Sequence, residues 1–211
     1  DEEIKKHFTE TQNRVTSMSL IHEKLYKQDL TGLDLNQYVQ ELVSQLADSY
    51  RSPDQRIETS FDIPDLKINL DTAIPLGLII NELFVNSVDH GFEGRMEGQV
   101  EISVSAEESH YVLTFRDDGR GLPKDFDPAD ASTLGLSLVS TLSRQLKGSF
   151  DMKNAFPRYS ADEKSADENG GEENGAEENA GPQNSSNREH GKGGTVVEVR
   201  FQNLDAAAKL S

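Results

Sequence analysis

One long apolar stretch, residues 76–92, most constrains how this chain can fold. It reads LGLIINELFVNSVDHGF and is long enough for a helix that is buried on several sides. Polar side chains interrupt it at Glu82, Asn86 and His90, a spacing of i, i+4 and i+8 that predicts one shared helical face. This polar stripe fits a ligand-lined cavity, and it fits equally the solvent side of a half-exposed amphipathic helix. The apolar residues expected to be buried are Leu76, Ile79, Ile80, Leu83, Phe84 and Val88.

Composition limits the class of protein. The 211 residues, 34% of them apolar, allow one ordinary domain with an appendage or two small domains. The absence of cysteine excludes disulfides and thiolate metal sites, and a net charge of −17 argues against non-specific nucleic-acid binding. No apolar run reaches the roughly 20 residues of a membrane span, so we expect a cytoplasmic location and no membrane contact by this fragment. The chain begins at Asp1 rather than methionine, which suggests a fragment of a longer protein.

Two helices are predicted before residue 52. In the first, apolar residues recur in steps of three and four between Ile4 and Leu25, the pattern of a helix packed in a bundle or coiled coil, so we expect a homodimer. His22 lies in this seam, where a structural histidine is more typical than a catalytic one. The second helix has Asp34 as its expected N-cap and an apolar stripe from Leu35 to Tyr50.

Short alternating segments follow and predict strands. Asp71 is the expected cap of the long apolar helix, with Pro75 in its first turn. A further helix is predicted over residues 135–146. The predicted strands are 57–63, 66–70, 100–104, 111–115, 148–152 and 196–201, the third and fourth of which form a hairpin.

The strand ending at residue 115 runs into the sequence DDGRG. Asp117 there can accept a hydrogen bond from a purine amino group, while Gly119 and Gly121 allow the backbone to approach a ligand closely. Taken alone, the pattern also fits a plain turn or a calcium loop. Gly135 opens the next helix, whose free N–H groups favour a phosphate.

Residues 155–192 are predicted to be an insertion between two strands. The repeats ADENG, GEENG and AEENA lack large apolar residues, so they cannot bury enough surface to offset the entropy of ordering. We interpret the segment as a mobile, solvated hairpin rather than a calcium site, because its adjacent acids lack the alternate spacing of calcium ligands.

Four sequence patterns follow one another along the chain: N-E-L-x-x-N-S, D-x-G-x-G, L-G-L-S-L-V and G-G-T. Together, they resemble the nucleotide-binding boxes of the GHKL ATPase superfamily, which includes histidine kinases, gyrase, heat-shock chaperone ATPases and MutL. Residues 12–26, QNRVTSMSLIHEKLY, resemble the second dimerisation helix of sensor histidine kinases related to the HWE group. The resemblance implies an α+β fold, a two-layer α/β sandwich of the GHKL type, preceded by a helical dimerisation segment. The expected domains are 1–52, the helical remnant and linker helix, and 53–205, the ATP-binding domain.

The resemblance also implies ATP and Mg²⁺ as cofactors. Asn86 would be the magnesium ligand, Glu82 would be its catalytic polar neighbour, and Asp117 would accept the adenine amino group. Thr195 would support the adenine side, and Gly135 would bring the lid helix to the phosphates. The other nucleotide-binding positions implied are His90, Gly119, Gly121, Leu134 and Leu136.

The function implied is transfer of the ATP γ-phosphoryl group to a histidine on an upstream helix, with a response regulator as the next acceptor. None of the chain's five histidines has the H-R-x-K-N-like context of the family's phosphoacceptor, so that histidine is expected outside this chain. Asp89 stands where many histidine kinases have a lysine or arginine, as in the gyrase and chaperone branches. The alternatives are a nucleotide-gated interaction module like the anti-sigma regulators and a degenerate domain that only dimerises.

Overall fold

The computed structural model describes residues 33–50, 52, 54–108, 110–123, 126, 134–155 and 193–202. The helix predicted between Ile4 and Leu25 lies outside these ranges, as does the insertion 155–192 except for its first residue. In chain order, the elements are β1 (Leu33–Asp34), α1 (Leu35–Tyr50), β2 (Arg56–Asp62), β3 (Lys67–Ile68), α2 (Leu70–Asn86), a π-helical turn (Ser87–Gly91), β4 (Glu97–Ala106), β5 (His110–Asp117), α3 (Leu134–Gln145), β6 (Ser149–Asn154) and β7 (Thr195–Gln202).

Five strands form one sheet in the order β2-β4-β5-β7-β6. β2 runs parallel to β4, and every other neighbouring pair is antiparallel. The predicted hairpin is therefore confirmed as β4–β5, and its turn is closed by Glu107 N, which donates to His110 O at 2.7 Å. β1 and β3 form a separate two-stranded pair.

The helices pack on one face of this sheet. Along β4, β7 and the second half of β5, buried side chains alternate with more exposed ones, because successive residues of a strand point to opposite faces. α2 lies in the middle of the helical layer and contacts both α1 and α3. The predicted two-layer α/β sandwich is confirmed. The sheet's principal contribution to the core is Val100, Ile102, Val104, Leu113, Phe115, Val197, Val199 and Phe201.

The central helix α2 begins earlier than the sequence predicted. Asn69 is its N-cap, and the Asn69 side chain accepts a hydrogen bond from Thr72 N at 2.9 Å. The predicted cap at Asp71 is wrong, since Asp71 lies within the first turn, and Pro75 lies in the second turn rather than the first. The strand predicted over residues 66–70 shrinks to Lys67–Ile68 because the cap and the helix take its end. All six apolar residues expected to be buried in this stretch are buried, five on α2 and Val88 in the π-helical turn that follows.

The end of α2 also differs from the prediction. After Asn86 the chain continues as a π-helical turn, in which Phe92 N donates to Ser87 O at 2.7 Å. This wider turn moves His90 out of the α-helical i+4 position relative to Asn86. The predicted single stripe is therefore wrong in its last member, as Glu82 is buried, Asn86 is half-buried and His90 is exposed.

α1 packs into the same core as the sheet. Asp34 caps it as predicted, since Gln37 N donates to the Asp34 carboxylate at 2.8 Å. The Tyr38 hydroxyl donates to Ala73 O on α2 at 3.0 Å, which ties the two helices together. Residues 35–50, placed before the domain boundary by the sequence, thus share their apolar contacts with residues after it. None of the helices in the described ranges is long and apolar enough to cross a membrane.

Candidate functional site

The centre of the candidate site is Asp117, the last residue of β5. The sheet register pairs Asp117 with Val100 of β4 on one side and with Thr195 of β7 on the other. Its side chain is only 6% exposed, because it lies on the face of the sheet that the helices cover. A carboxylate in this position needs hydrogen-bond donors to replace the water it has lost.

Three donors meet the Asp117 carboxylate. Oδ1 accepts from Gly119 N at 2.8 Å and from Thr195 N at 3.2 Å, and Oδ2 accepts from the Ser87 hydroxyl at 3.0 Å. Burial raises the pKa of Asp117 above its ordinary value, the hydrogen bonds from Gly119, Ser87 and Thr195 oppose that rise, and the nearby charge of Asp118 adds to it. A carboxylate oxygen has two lone pairs, so Oδ2 keeps the capacity to accept a further donor such as an amino group.

Glycines surround this carboxylate where the backbone segments approach closely. A Cβ at Gly119 would lie 2.7 Å from the Cα of Gly91, so only glycine fits between the π-helical turn and the loop after β5. Arg120 N donates to Gly91 O at 3.1 Å and joins the same two segments. Gly121 has a positive φ of 74°, which other residues adopt at a cost. The immediate surroundings of the carboxylate are therefore made largely of backbone.

The polar residues on α2 and in the turn after it become more exposed along the chain. Glu82 is 3% exposed, and Asn81 Nδ2 donates to its Oε1 over a long 3.4 Å. Asn86 is half-buried one turn further on, and exposed His90 lies in the π-helical turn. Within the described residues, no group of three or more His, Cys, Asp or Glu side chains is arranged to hold a metal ion. A divalent cation at Asn86 would therefore need phosphate oxygens and water among its ligands.

The start of α3 was predicted to contribute the lid. Leu134 is 70% exposed, whereas Gly135 is buried and Leu136 is 7% exposed. α3 contacts α2, the helix that holds Glu82 and Asn86. Its leading N–H groups have no intrahelical partners and suit an anion.

Sequence reasoning missed Ser87 as a member of the site. Its hydroxyl oxygen lies 3.0 Å from Asp117 Oδ2 and 3.1 Å from Leu83 O, and its one hydrogen is shared between these two acceptors. Ser87 follows Asn86 in the quoted N-E-L-x-x-N-S pattern, which was the available signal. Its partner Asp117 lies 30 residues away in the chain, and only the fold brings the two together.

Together, these residues can recognise a flat base that carries an amino group. The buried carboxylate of Asp117 supplies an acceptor, and the glycines allow the backbone segments around it to pack closely against one another. Glu82 and Asn86 lie on α2, which contacts α3. The fold brings Asp117, Gly119 and Thr195 into contact, and their roles toward a nucleotide stay predictions.

Comparison with known proteins gives two family matches. Residues 71–204 match the family described as histidine kinase-, DNA gyrase B-, and HSP90-like ATPase, and residues 1–50 match a family described as histidine kinase. The sensor histidine kinase PdtaS of Mycolicibacterium smegmatis is 33% identical over 156 residues, which are 72% of this chain and 31% of that protein. The chain thus spans about a third of the length of this curated relative. The anti-sigma F factor of Bacillus thuringiensis is 34% identical over 67 residues, 32% of this chain and 46% of that protein.

A solved structure shares the fold. The histidine kinase domain of the blue-light activated histidine kinase EL346 from Erythrobacter litoralis is similar with a TM-score of 0.61 and 20% identity, covering 90% of this chain and 73% of that one. The mycobacterial sensor histidine kinase MprB is similar with a TM-score of 0.52 and 14% identity, covering 81% of this chain and 96% of that one.

Proposed function

Because the chain belongs to the histidine kinase-, DNA gyrase B- and HSP90-like ATPase family, we propose that it is the ATP-binding catalytic portion of a two-component sensor histidine kinase. The membership implies ATP binding. The observation that carries the proposal is the buried Asp117 carboxylate, which has three donors and acceptor capacity left on Oδ2. The histidine kinase match over residues 1–50 favours a kinase over other members of the family.

In the proposal, Asp117 selects the base. Its Oδ2 accepts the adenine 6-amino group while Ser87, Gly119 and Thr195 hold the carboxylate in place. Because the carboxylate is already desolvated and fixed, little further ordering is needed when the base enters. Gly119 and Gly121 would lie beside the purine, and the packing of Gly119 against Gly91 and of Gly121 against Gly194 holds this backbone in place.

The phosphate side of the proposed site is formed by the helical layer. Asn86 would hold Mg²⁺ through its amide oxygen, and the ion, when bound, would neutralise charge on the phosphates. Glu82 lies one turn before Asn86 and provides a buried carboxylate beside it. Exposed His90 and the first turn of α3, residues Leu134, Gly135 and Leu136, would meet the phosphate oxygens. The chain's task is then to position the γ-phosphoryl group for in-line attack.

The acceptor in this proposal is a histidine outside the 211 residues, on a helix upstream, and a response-regulator aspartate takes the phosphoryl group next. The proposal also includes a homodimer formed through the helical segment and places the reaction in the cytoplasm, where ATP is available. Supporting this, none of His7, His22, His90, His110 and His190 has the sequence context of the family's phosphoacceptor.

A second function is kept because two observations favour it. The 34% identity to an anti-sigma F factor and the presence of Asp89, where a basic residue is common in kinases, both suit a nucleotide-gated interaction module. In that case ATP binding would order the lid and switch a partner, without transfer to histidine. The two functions share the adenine site and differ in whether a phosphohistidine forms.

Labelling with γ-labelled MgATP separates them. We expect no stable label on the 211-residue chain and an acid-labile, base-stable label on a longer chain that includes the preceding helix, since a phosphoramidate needs an imidazole nucleophile near the γ-phosphate. Replacing the histidine of that helix should abolish the label. Label on the 211-residue chain that disappears with His22→Gln would contradict the upstream acceptor. Nucleotide binding without any label on the longer chain would favour the interaction module.

A further inference from the structure

Arg95 lies in the turn between α2 and β4 and reaches across to the loop that follows Asp117. Its Nη2 pairs with Asp118 Oδ2 at 2.7 Å, and its Nη1 donates to the Asp118 carbonyl oxygen. The second contact involves a particular peptide group. The Asp118 carbonyl and the Gly119 N–H belong to the same planar peptide unit, so orienting one orients the other.

That peptide unit connects Arg95 to the candidate site. Gly119 N is the closest of the two backbone donors to Asp117 Oδ1, at 2.8 Å against 3.2 Å for Thr195 N. A charged donor on the carbonyl fixes the direction of the N–H and polarises it, because hydrogen bonds in a chain strengthen one another. Arg95, Asp118–Gly119 and Asp117 thus form one continuous line of contacts.

The rest of the turn holds Arg95 in place. Its guanidinium carbon lies 5.6 Å from the ring centroid of buried Phe92, and its carbonyl accepts from Gln55 Nε2 at 3.2 Å. On the other side, the Asp118 carboxylate also accepts from Gln99 N at 2.7 Å, which anchors it to the start of β4. Both ends of the ion pair are therefore attached to ordered backbone, although each side chain is more than a third exposed.

We propose that Arg95 is a positioning residue for base recognition: through the Asp118–Gly119 peptide it holds the Asp117 carboxylate in the orientation that accepts the purine amino group. This inference rests on the proposed function, because it needs Asp117 to contact the base. Arg95 itself touches neither nucleotide nor phosphate in this account. Its effect should therefore depend on the amino group of the base and on nothing else in the nucleotide.

The test compares ATP with purine riboside triphosphate, which differs from ATP in carrying hydrogen in place of the 6-amino group. For the wild-type chain with magnesium, calorimetry should give an ATP preference of about tenfold or more. Arg95→Met should lower that preference by roughly fivefold and leave the affinity for purine riboside triphosphate within about twofold. Arg95→Lys, which keeps a charged donor, should be intermediate.

Arg56→Met is the matched control. Arg56 is an exposed arginine whose backbone N donates to Met96 O, one residue beyond Arg95, and whose side chain pairs with Glu58 at 2.9 Å. The same change of charge there should leave both affinities unaltered. Melting temperatures of all variants show whether the domain remains folded.

Each outcome has a distinct meaning. If Arg95→Met and Arg95→Lys keep the wild-type preference for ATP, or lose affinity for both nucleotides by the same factor, the positioning role of Arg95 is overturned while the proposed function stands. If the wild-type chain binds MgATP and purine riboside triphosphate equally, the contact between Asp117 and the amino group is absent and the inference falls with it.

Discussion

Asp117 carries a carboxylate in a buried position, and hydrogen bonds from its surroundings stabilise that carboxylate. Each oxygen has at least one donor, and those donors come from three separate places in the chain, namely Ser87, Gly119 and Thr195. The D-x-G-x-G pattern predicts Asp117 and its glycines, because these residue types carry their chemistry locally. Ser87 and Arg95 could not be predicted in this way, since their partners lie 30 and 23 residues distant and meet them only after folding.

The raised pKa of Asp117 predicts a dependence on pH. Protonation removes the carboxylate as an acceptor, so acidification should weaken ATP binding by the wild-type chain relative to Asp117→Asn. Because burial raises the pKa, the ratio of the two affinities should begin to change above about pH 4, the ordinary range of an aspartate. Titrations across the acidic range measure this ratio. The titration of ATP itself affects both proteins alike and cancels.

The raised pKa of Asp117 affects the stability of the folded domain in the opposite direction: acidification weakens ATP binding but stabilises the fold. A group whose pKa is raised in the folded state adds stability below its unfolded pKa, and that contribution is lost as pH rises through the folded pKa. The nucleotide-free wild-type domain should therefore gain stability relative to Asp117→Asn as the pH falls through this window. A ratio of affinities that stays constant down to about pH 4, together with a stability difference that stays constant with pH, would show that Asp117 titrates like an exposed aspartate.

At the scale of the element, α2 lies at the centre of the helical layer, as its apolar sequence predicts. Its two ends differ from the prediction. Asn69 and Asp71 are both residue types that cap helices, and sequence alone does not decide which side chain reaches an N–H. The π-helical turn at the other end was not foreseen, because its register is tied to the contact between Ser87 and Asp117. The apolar face of the helix was predictable from periodicity, and all of its named residues are buried.

Substitution of the two possible caps tests the start of α2. Asn69→Ala should cost about 1 kcal/mol of the free energy of unfolding, because Thr72 N loses its partner. For a domain of this size, that lowers the melting temperature by about 2–4 °C. Asp71→Ala is the control and should have a smaller effect, arising only from the helix dipole. A larger loss for Asp71→Ala than for Asn69→Ala would mean that the cap lies at Asp71.

At the scale of the whole molecule, the resemblance to sensor histidine kinases is confirmed, and so is the α/β sandwich. Four short boxes in order were enough to indicate the family. The domain boundary at residue 52 stays a prediction. α1 shows why periodicity could not place it, since an amphipathic stripe such as Leu35 to Tyr50 does not reveal which neighbour it packs against.

The pairing of β6 with β7 predicts that the acidic insertion is needed neither for folding nor for ATP binding. β6 and β7 are antiparallel partners, with Asn154 paired to Thr195, and Ala155 N donates to Gly194 O at 2.9 Å. The two ends of the segment are thus already held side by side, and loop-closure entropy changes slowly with length. Deleting residues 158–190 should leave the melting temperature and the ATP affinity nearly unchanged. A chain with the same residues 158–190 in scrambled order is the control, and a collapse of the melting temperature on deletion would contradict the prediction.

The central claim is that Asp117 recognises adenine in an ATP site, and calorimetric titration of MgATP tests it most directly. Asp117→Asn should weaken ATP roughly ten- to hundredfold, since a charge-assisted hydrogen bond of about 1.5–3 kcal/mol is lost. Asp151→Asn removes an equal charge from an exposed position on β6 and should bind ATP like the wild type, with both variants remaining folded. Equal affinities for the wild type and Asp117→Asn would contradict the account and remove Asp117 from the site.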